Sequence, residues 1–231
     1  MAAAVSSSRL PFLVFDLDGT LIDGYAAIGE ALAYAMGKFG LEALPPEQVR
    51  VMVGHGIEKL LEKAVGRETA PEGVRLFREH YPHVAVSGSR LLPDVAAVLA
   101  TLGQRGYRMA VASNKPAKFS RMILDACGAG AYFAAIGGPD ESTPTKPDPE
   151  MLHRLMAGQG ASPAETIVIG DMEVDSEFAR AAGCRVVLVP TGSRTRADLL
   201  SVDADALLDS LSDLPTWLAS HGSRFAVPPP P

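Results

Sequence analysis

The sequence predicts an α/β fold: a Rossmann-like parallel sheet with helices on both faces and an all-helical segment inserted near its start. Three observations predict it. Apolar runs of strand length recur at residues 12–15, 108–112, 166–169 and 185–189, with a weaker one at 132–136. Helix-forming segments separate most of them, and strands alternating with helices in this way form parallel sheets covered on both sides. Residues 23–88, by contrast, offer helical patterns and no convincing strand.

The first run, Phe12-Leu13-Val14-Phe15, is apolar throughout, as a strand buried on both faces must be. It leads into Asp16-Leu17-Asp18-Gly19-Thr20. Side chains two apart on an extended chain project to the same side, so Asp16 and Asp18 stand together where the strand ends. Two such carboxylates repel, which suits a site where a divalent cation or a shared proton offsets the repulsion. The plainer alternative is a strand-ending turn, which Asp and Gly also favour. Helical patterns follow at 26–39, 46–53, 57–65 and 71–81, and Asp23-Gly24 and Ser87-Gly88-Ser89 read as hinges. The chain thus divides into a core, 1–22 and 89–231, and an inserted helical cap, 23–88.

Further helices are predicted at 95–105, 117–126, 150–159 and 176–182. Asp148-Pro149 supplies a cap with Pro at the first helical position, and Ser162-Pro163-Ala164-Glu165 fits a capping box. In an open parallel sheet ligands sit beyond the carboxyl ends of the strands, and reactive residues do follow the predicted strands. Ser113-Asn114-Lys115-Pro116 comes after 108–112, and Gly170-Asp171 comes after 166–169. The Ser113 hydroxyl beside free helix amides suits an anion, although Ser113 or Asn114 also suits a plain cap. Lys146, in a Pro-broken loop, brings one point charge for a phosphate or carboxylate, or is a surface lysine. Asp171 and Asp175 share a helix face, where like charges cost ~0.2–0.5 kcal/mol. A hard cation offsets that cost, and oxygen donors without His or Cys favour Mg2+. Asp175 reads as a support behind Asp171, either capping the helix or holding Lys146.

Composition narrows the ligand. At 231 residues with a net charge of -6 and a pI near 5.4, the chain has no broad cationic surface for nucleic acid or an anionic membrane. A small anionic molecule met by local positive groups is the expected partner. Cys127 and Cys184 are too few for a disulfide framework, no apolar stretch is long enough to span a bilayer, and no Gly-x-x-x-x-Gly-Lys-Ser/Thr loop occurs. The N-terminus lacks a basic segment followed by a long apolar core, so a cytoplasmic protein is expected, as monomer or homodimer. Residues 222–231, ending in four prolines, read as an extended, disordered tail.

With Asp16-Leu17-Asp18-Gly19-Thr20, Ser113, Lys146 and Gly170-Asp171 with Asp175 in this order, the chain resembles the haloacid dehalogenase superfamily and, within it, the phosphoglycolate phosphatases. The resemblance covers residues 12 to about 218 and implies a Rossmann-like core with a helical cap. It also implies a phosphomonoester hydrolase acting on a small phosphorylated metabolite through an aspartyl-phosphate. Asp16 is then the nucleophile and Asp18 the acid and base. Mg2+ is held by Asp16, the Asp18 main-chain carbonyl and Asp171, while Ser113, Asn114 and Lys146 meet the phosphate. Asp18 argues against dehalogenases and phosphonatases, which typically lack it. A β-phosphoglucomutase-like mutase or sugar phosphatase stays open, although such mutases usually carry Val where this chain has Thr20. Gly24 departs from the hydroxyl or acidic residue often found there, which bears on the substrate. A non-catalytic binding protein on the same fold is the remaining reading.

The loop Val53-Gly54-His55-Gly56-Ile57 matches a cap loop that faces the active site in related enzymes. His55 and Gly56 are therefore candidates for substrate contact, an exposed loop His being the alternative, and Arg50 and Lys59 lie nearby. His80 and His83 read as surface residues without a further metal ligand.

Overall fold

The computed structural model describes residues 10–139 and 143–221; the predicted tail at 222–231 lies outside the described residues. Strand β1 (Phe12–Phe15) is wholly buried and leads through a tight turn to β2 (Ile22–Asp23). Four helices follow: α1 (Tyr25–Gly37), α2 (Pro46–Met52), α3 (Ile57–Val65) and α4 (Ala70–Val84). The chain returns at β3 (Arg90–Leu91), antiparallel to β2, and an Asp23–Arg90 ion pair of 2.5 Å spans this ribbon. The sequence pattern shows neither strand, because a two-residue strand is made by its partner and carries no periodicity of its own.

After the ribbon come α5 (Val95–Gln104), β4 (Arg108–Ala112), α6 (Ala117–Ala126), β5 (Ala135–Gly137) and α7 (Glu150–Gln159). The chain then forms β6 (Thr166–Gly170), α8 (Glu173–Ala181), β7 (Arg185–Leu188), α9 (Arg196–Leu199), β8 (Ala206–Leu207) and α10 (Leu214–His221). Six strands pair in the order β5-β4-β1-β6-β7-β8, all parallel. Side chains alternate across it. Leu13, Phe15, Val111 and Ile169 join α5, α6 and the inserted helices in one apolar cluster, while Phe12, Val14, Ala110 and Val168 pack against α7 and α8 in the other. The expected α/β sheet with both faces covered is present. Among the described residues no helix is long and apolar enough to cross a membrane.

Two elements shift from their predicted positions. The run at 132–136 becomes a short turn of 3-10 helix, Gly130–Tyr132, and then the edge strand β5, because only Ala135 onward finds register with β4. Helix α8 starts at Glu173, three residues early, because the Asp175 carboxylate accepts the amides of Asp171 and Met172 at 3.1 Å and so draws the first turn in.

Candidate active site

The register of the sheet builds the site. Phe15 lies opposite Val111 on one side and Ile169 on the other, so β4, β1 and β6 end nearly level. The first residues beyond those ends are Asp16, Ser113 and Asp171. Asp16 is held in line by its amide, which donates to the Ile169 carbonyl at 2.8 Å. Asp16, Asp18, Ser113, Asn114, Lys146 and Asp175 all line one cavity, together with Gly54 and Gly56 from the inserted segment.

Each of the paired aspartates has its own lysine. Lys146 Nζ sits 2.7 Å from Asp16 Oδ1 and 2.8 Å from Asp175 Oδ1, with the face of Phe178 beneath it. Lys115 Nζ sits 2.8 Å from Asp18 Oδ1 and 2.7 Å from Asp18 Oδ2. Both ammonium groups are buried; burial alone would discharge them, but the adjoining carboxylates outweigh it and keep them cationic. In the sequence, the signal of Lys115 is only its place next to Ser113-Asn114.

Carboxylates still outnumber the cations. Burial pushes Asp16 up to about 7 against the pull of Lys146, and burial with the charges of Asp16 and Asp175 raises Asp171 well above the usual range. Asp171 Oδ1 accepts the Thr20 hydroxyl at 2.9 Å, while Oδ2 is buried with no hydrogen-bond partner. Oxygens of Asp16, Asp171 and Asp175 come within 4.8 Å of one another. A Cβ on Gly192 would stand 1.7 Å from Asp171 Oδ2, and one on Gly19 (φ 94°) 2.6 Å from it, so two glycines keep clear the space beside this orphaned oxygen. A buried acceptor facing a clear space among carboxylates fits a hard divalent cation. Both Asp175 oxygens are engaged, by Lys146 and by the Asp171 and Met172 amides.

The other candidate residues are placed as follows. Ser113 is buried, with its oxygen accepting the Lys115 amide at 3.2 Å. Asn114 is spent on structure. Its side-chain amide donates to Gly54 O at 2.9 Å and, more weakly, to Lys146 O, and its oxygen accepts Lys146 N at 2.7 Å. It ties the inserted loop to the Lys146 loop. His55 is outside the cavity lining and acts on the carboxyl of Glu173, which Arg194 already holds low. Lys59 is exposed and paired with Glu62, while His80 stacks on Tyr34 near Glu30. Arg50 reaches the core instead: its guanidinium donates to Thr191 O and Gly192 O at 2.9–3.2 Å and lies over the Tyr25 ring.

Residues 13–189 match the family described as haloacid dehalogenase-like hydrolases. The chain is 33% identical over 213 residues to a phosphoglycolate phosphatase of Aquifex aeolicus, covering 92% of this chain and 99% of the relative. It is 34% identical over 223 residues to one of Pectobacterium atrosepticum, covering 94% and 95%. Among solved structures, one described as a predicted phosphoglycolate phosphatase from Haemophilus somnus superposes with a TM-score of 0.83 at 26% identity, covering 91% of this chain and 99% of that one. A haloacid dehalogenase-like family protein from Streptococcus pneumoniae reaches 0.84 at 22% identity over 90% and 98%, a likeness of fold alone. With its strand-end carboxylates in place and a family match over most of its length, the chain belongs to the haloacid dehalogenase-like hydrolases.

Proposed function

We propose that this hydrolase is a Mg2+-dependent phosphatase acting on a small phosphorylated metabolite, and that its substrate is 2-phosphoglycolate. The observation that carries the reading is the pairing of two adjacent cavity carboxylates with separate lysines, Asp16 with Lys146 and Asp18 with Lys115. Neighbouring groups in different surroundings take different roles. The names of the curated relatives support the choice of substrate.

Asp16 attacks the phosphorus, forming an aspartyl-phosphate as the bond to the leaving oxygen breaks. Asp18 gives its proton to the leaving alkoxide, then takes one from the water that hydrolyses the acyl-phosphate and restores Asp16. Ser113 and Lys146 receive the phosphoryl oxygens, with Asn114 keeping the Lys146 loop in place. Asp16, Asp171 and the main-chain oxygen of Asp18 would hold Mg2+, which would neutralise phosphoryl charge there. Helices α1–α4 act as a cap whose inner wall meets the leaving group, since the same cavity is lined from both sides.

Phosphate release from a panel of 2-phosphoglycolate, sugar phosphates and nucleoside monophosphates, ranked by kcat/KM, tests the reading. The highest value is expected for 2-phosphoglycolate, with Asp16→Asn abolishing turnover in a folded protein. A hexose phosphate at the top, or phosphoryl transfer in place of release, would overturn it.

A further inference from the structure

Beyond its cluster of charges, the cavity is walled by Ile28, Val53, Ile57, Leu60, Phe77 and Phe119. Two polar groups interrupt this wall at one place. The Lys115 ammonium lies 5.5 Å from the centre of the Tyr81 ring, and both residues are buried and line the cavity. The Tyr81 ring stacks on Phe77 at 5.2 Å and meets Phe119 edge-on at 5.2 Å, so it is not free to turn elsewhere. Its hydroxyl faces the Lys115 ammonium, itself a donor, and its own proton meets no acceptor in the protein. A buried phenol whose proton has no acceptor is uncommon in a folded protein, and one that opens on a ligand cavity is accounted for by the ligand. The ammonium carries three hydrogens: two meet Asp18 and the third lies on the Tyr81 side, where a bound anion can share it.

We propose that Lys115 and Tyr81 form a carboxylate subsite, apart from the phosphoryl seat at Ser113 and Lys146, that reads the acidic end of a short phosphorylated acid. The inference rests on the phosphatase reading and deepens it. In a 2-phospho-acid one carbon separates the leaving oxygen from the carboxylate, so a cation bonded to the acid that protonates the first is within reach of the second. The phenol then donates the proton that has no partner in the protein. A polyol would need donors and acceptors spread along the wall, and the wall is otherwise hydrocarbon apart from Arg78, which is engaged with Glu58 at 2.8 Å. Lys115 and Tyr81 come from α4 and the β4–α6 loop, so the inserted helices and the core each supply half of the subsite.

The test compares 2-phosphoglycolate with 2-hydroxyethyl phosphate, which keeps the leaving oxygen and replaces the carboxylate by a neutral alcohol. Wild-type protein is expected to favour the acid in kcat/KM. Tyr81→Phe lowers kcat/KM for the acid about tenfold, the scale of one hydrogen bond to a charged group, and leaves the alcohol within about twofold. Its thermal midpoint changes little, since the lost hydroxyl donates to no acceptor in the fold. Lys115→Met erases the preference and slows both substrates, because Asp18 also loses its partner. Equal turnover of the two substrates by wild type, or equal losses on both in Tyr81→Phe, would overturn the subsite while leaving the phosphatase reading intact. Absence of turnover on every phosphomonoester would overturn both.

Discussion

The hydroxyl of Thr20 donates to Asp171 Oδ1 at 2.9 Å, in a buried site where the other oxygen of that carboxylate has no hydrogen-bond partner. One oxygen is thus fixed by the protein, and the proposed Mg2+ site would use the other. Thr20→Val keeps the shape and removes the fixing bond, worth about 1.5–3 kcal/mol for a charged acceptor. The expected result is a roughly tenfold or greater rise in the Mg2+ concentration for half-maximal activity, with circular dichroism unchanged. An unaltered Mg2+ titration would show that Thr20 does not orient Asp171.

Lys146 stands between Asp16 and Asp175 with only 2% of its side chain exposed. Lys146→Met leaves two carboxylates facing each other without a counter-charge, and breaking a buried pair in this way costs about 3–5 kcal/mol. Urea denaturation should show the loss directly, together with loss of activity. In Lys146→Met/Asp175→Asn most of the stability returns and the activity does not; if stability stays low in the double variant, charge imbalance is not the cause.

Arg50 bonds the backbone of the loop at Thr191 and Gly192 from the inserted helices. Arg50→Ala should lower stability by about 1–2 kcal/mol and raise amide exchange in residues 46–57. Lys at this position restores charge without the planar fork and should recover less than half of the effect. Unchanged exchange in 46–57 would mean the contact does not hold that segment down.

Burial pushes the Cys184 thiol up to about 12, and Cys127 is only half-buried. At pH 8 iodoacetamide should therefore label Cys127 and reach Cys184 only on unfolding, as peptide mass spectrometry would record. The folded thiol titrates above the unfolded one, so its contribution to stability is complete below about pH 9 and is lost as the pH rises toward 12. Rapid labelling of Cys184 in native protein would contradict its burial.

The elements legible in the sequence were those that bury whole faces. The runs that became β1, β4, β6 and β7, and the helices Ala117–Ala126 and Glu150–Gln159, announce themselves by apolar content and by start signals such as Asp148, whose carboxylate accepts the Glu150 amide. The ribbon Ile22–Asp23 with Arg90–Leu91 exists only through pairing across the insertion and left no mark. In the site, Asp16, Ser113 and Asp171 were legible because a strand end fixes where the next side chain falls. Tyr81 was not, since it arrives from the last turn of an ordinary amphipathic helix, and the missing acceptor for its hydroxyl shows only in three dimensions. His55 attracted notice as the reactive residue of its loop, but Asn114 holds that loop by the Gly54 carbonyl, and His55 stands outside the lining.

The alignment of β4, β1 and β6 works like a vernier. One row of backbone pairing, Val111 with Phe15 with Ile169, sets the relative height of the side chains of Asp16, Ser113 and Asp171. A slip of one residue in either pairing would carry Ser113 or Asp171 to the opposite face of the sheet as well as displacing it. Because these are the central strands, whose rupture is the loss of the fold itself, catalytic competence and global cooperativity are one property of this molecule: activity and tertiary structure should vanish at the same denaturant concentration, with no populated form that is folded in its core yet misaligned in its site.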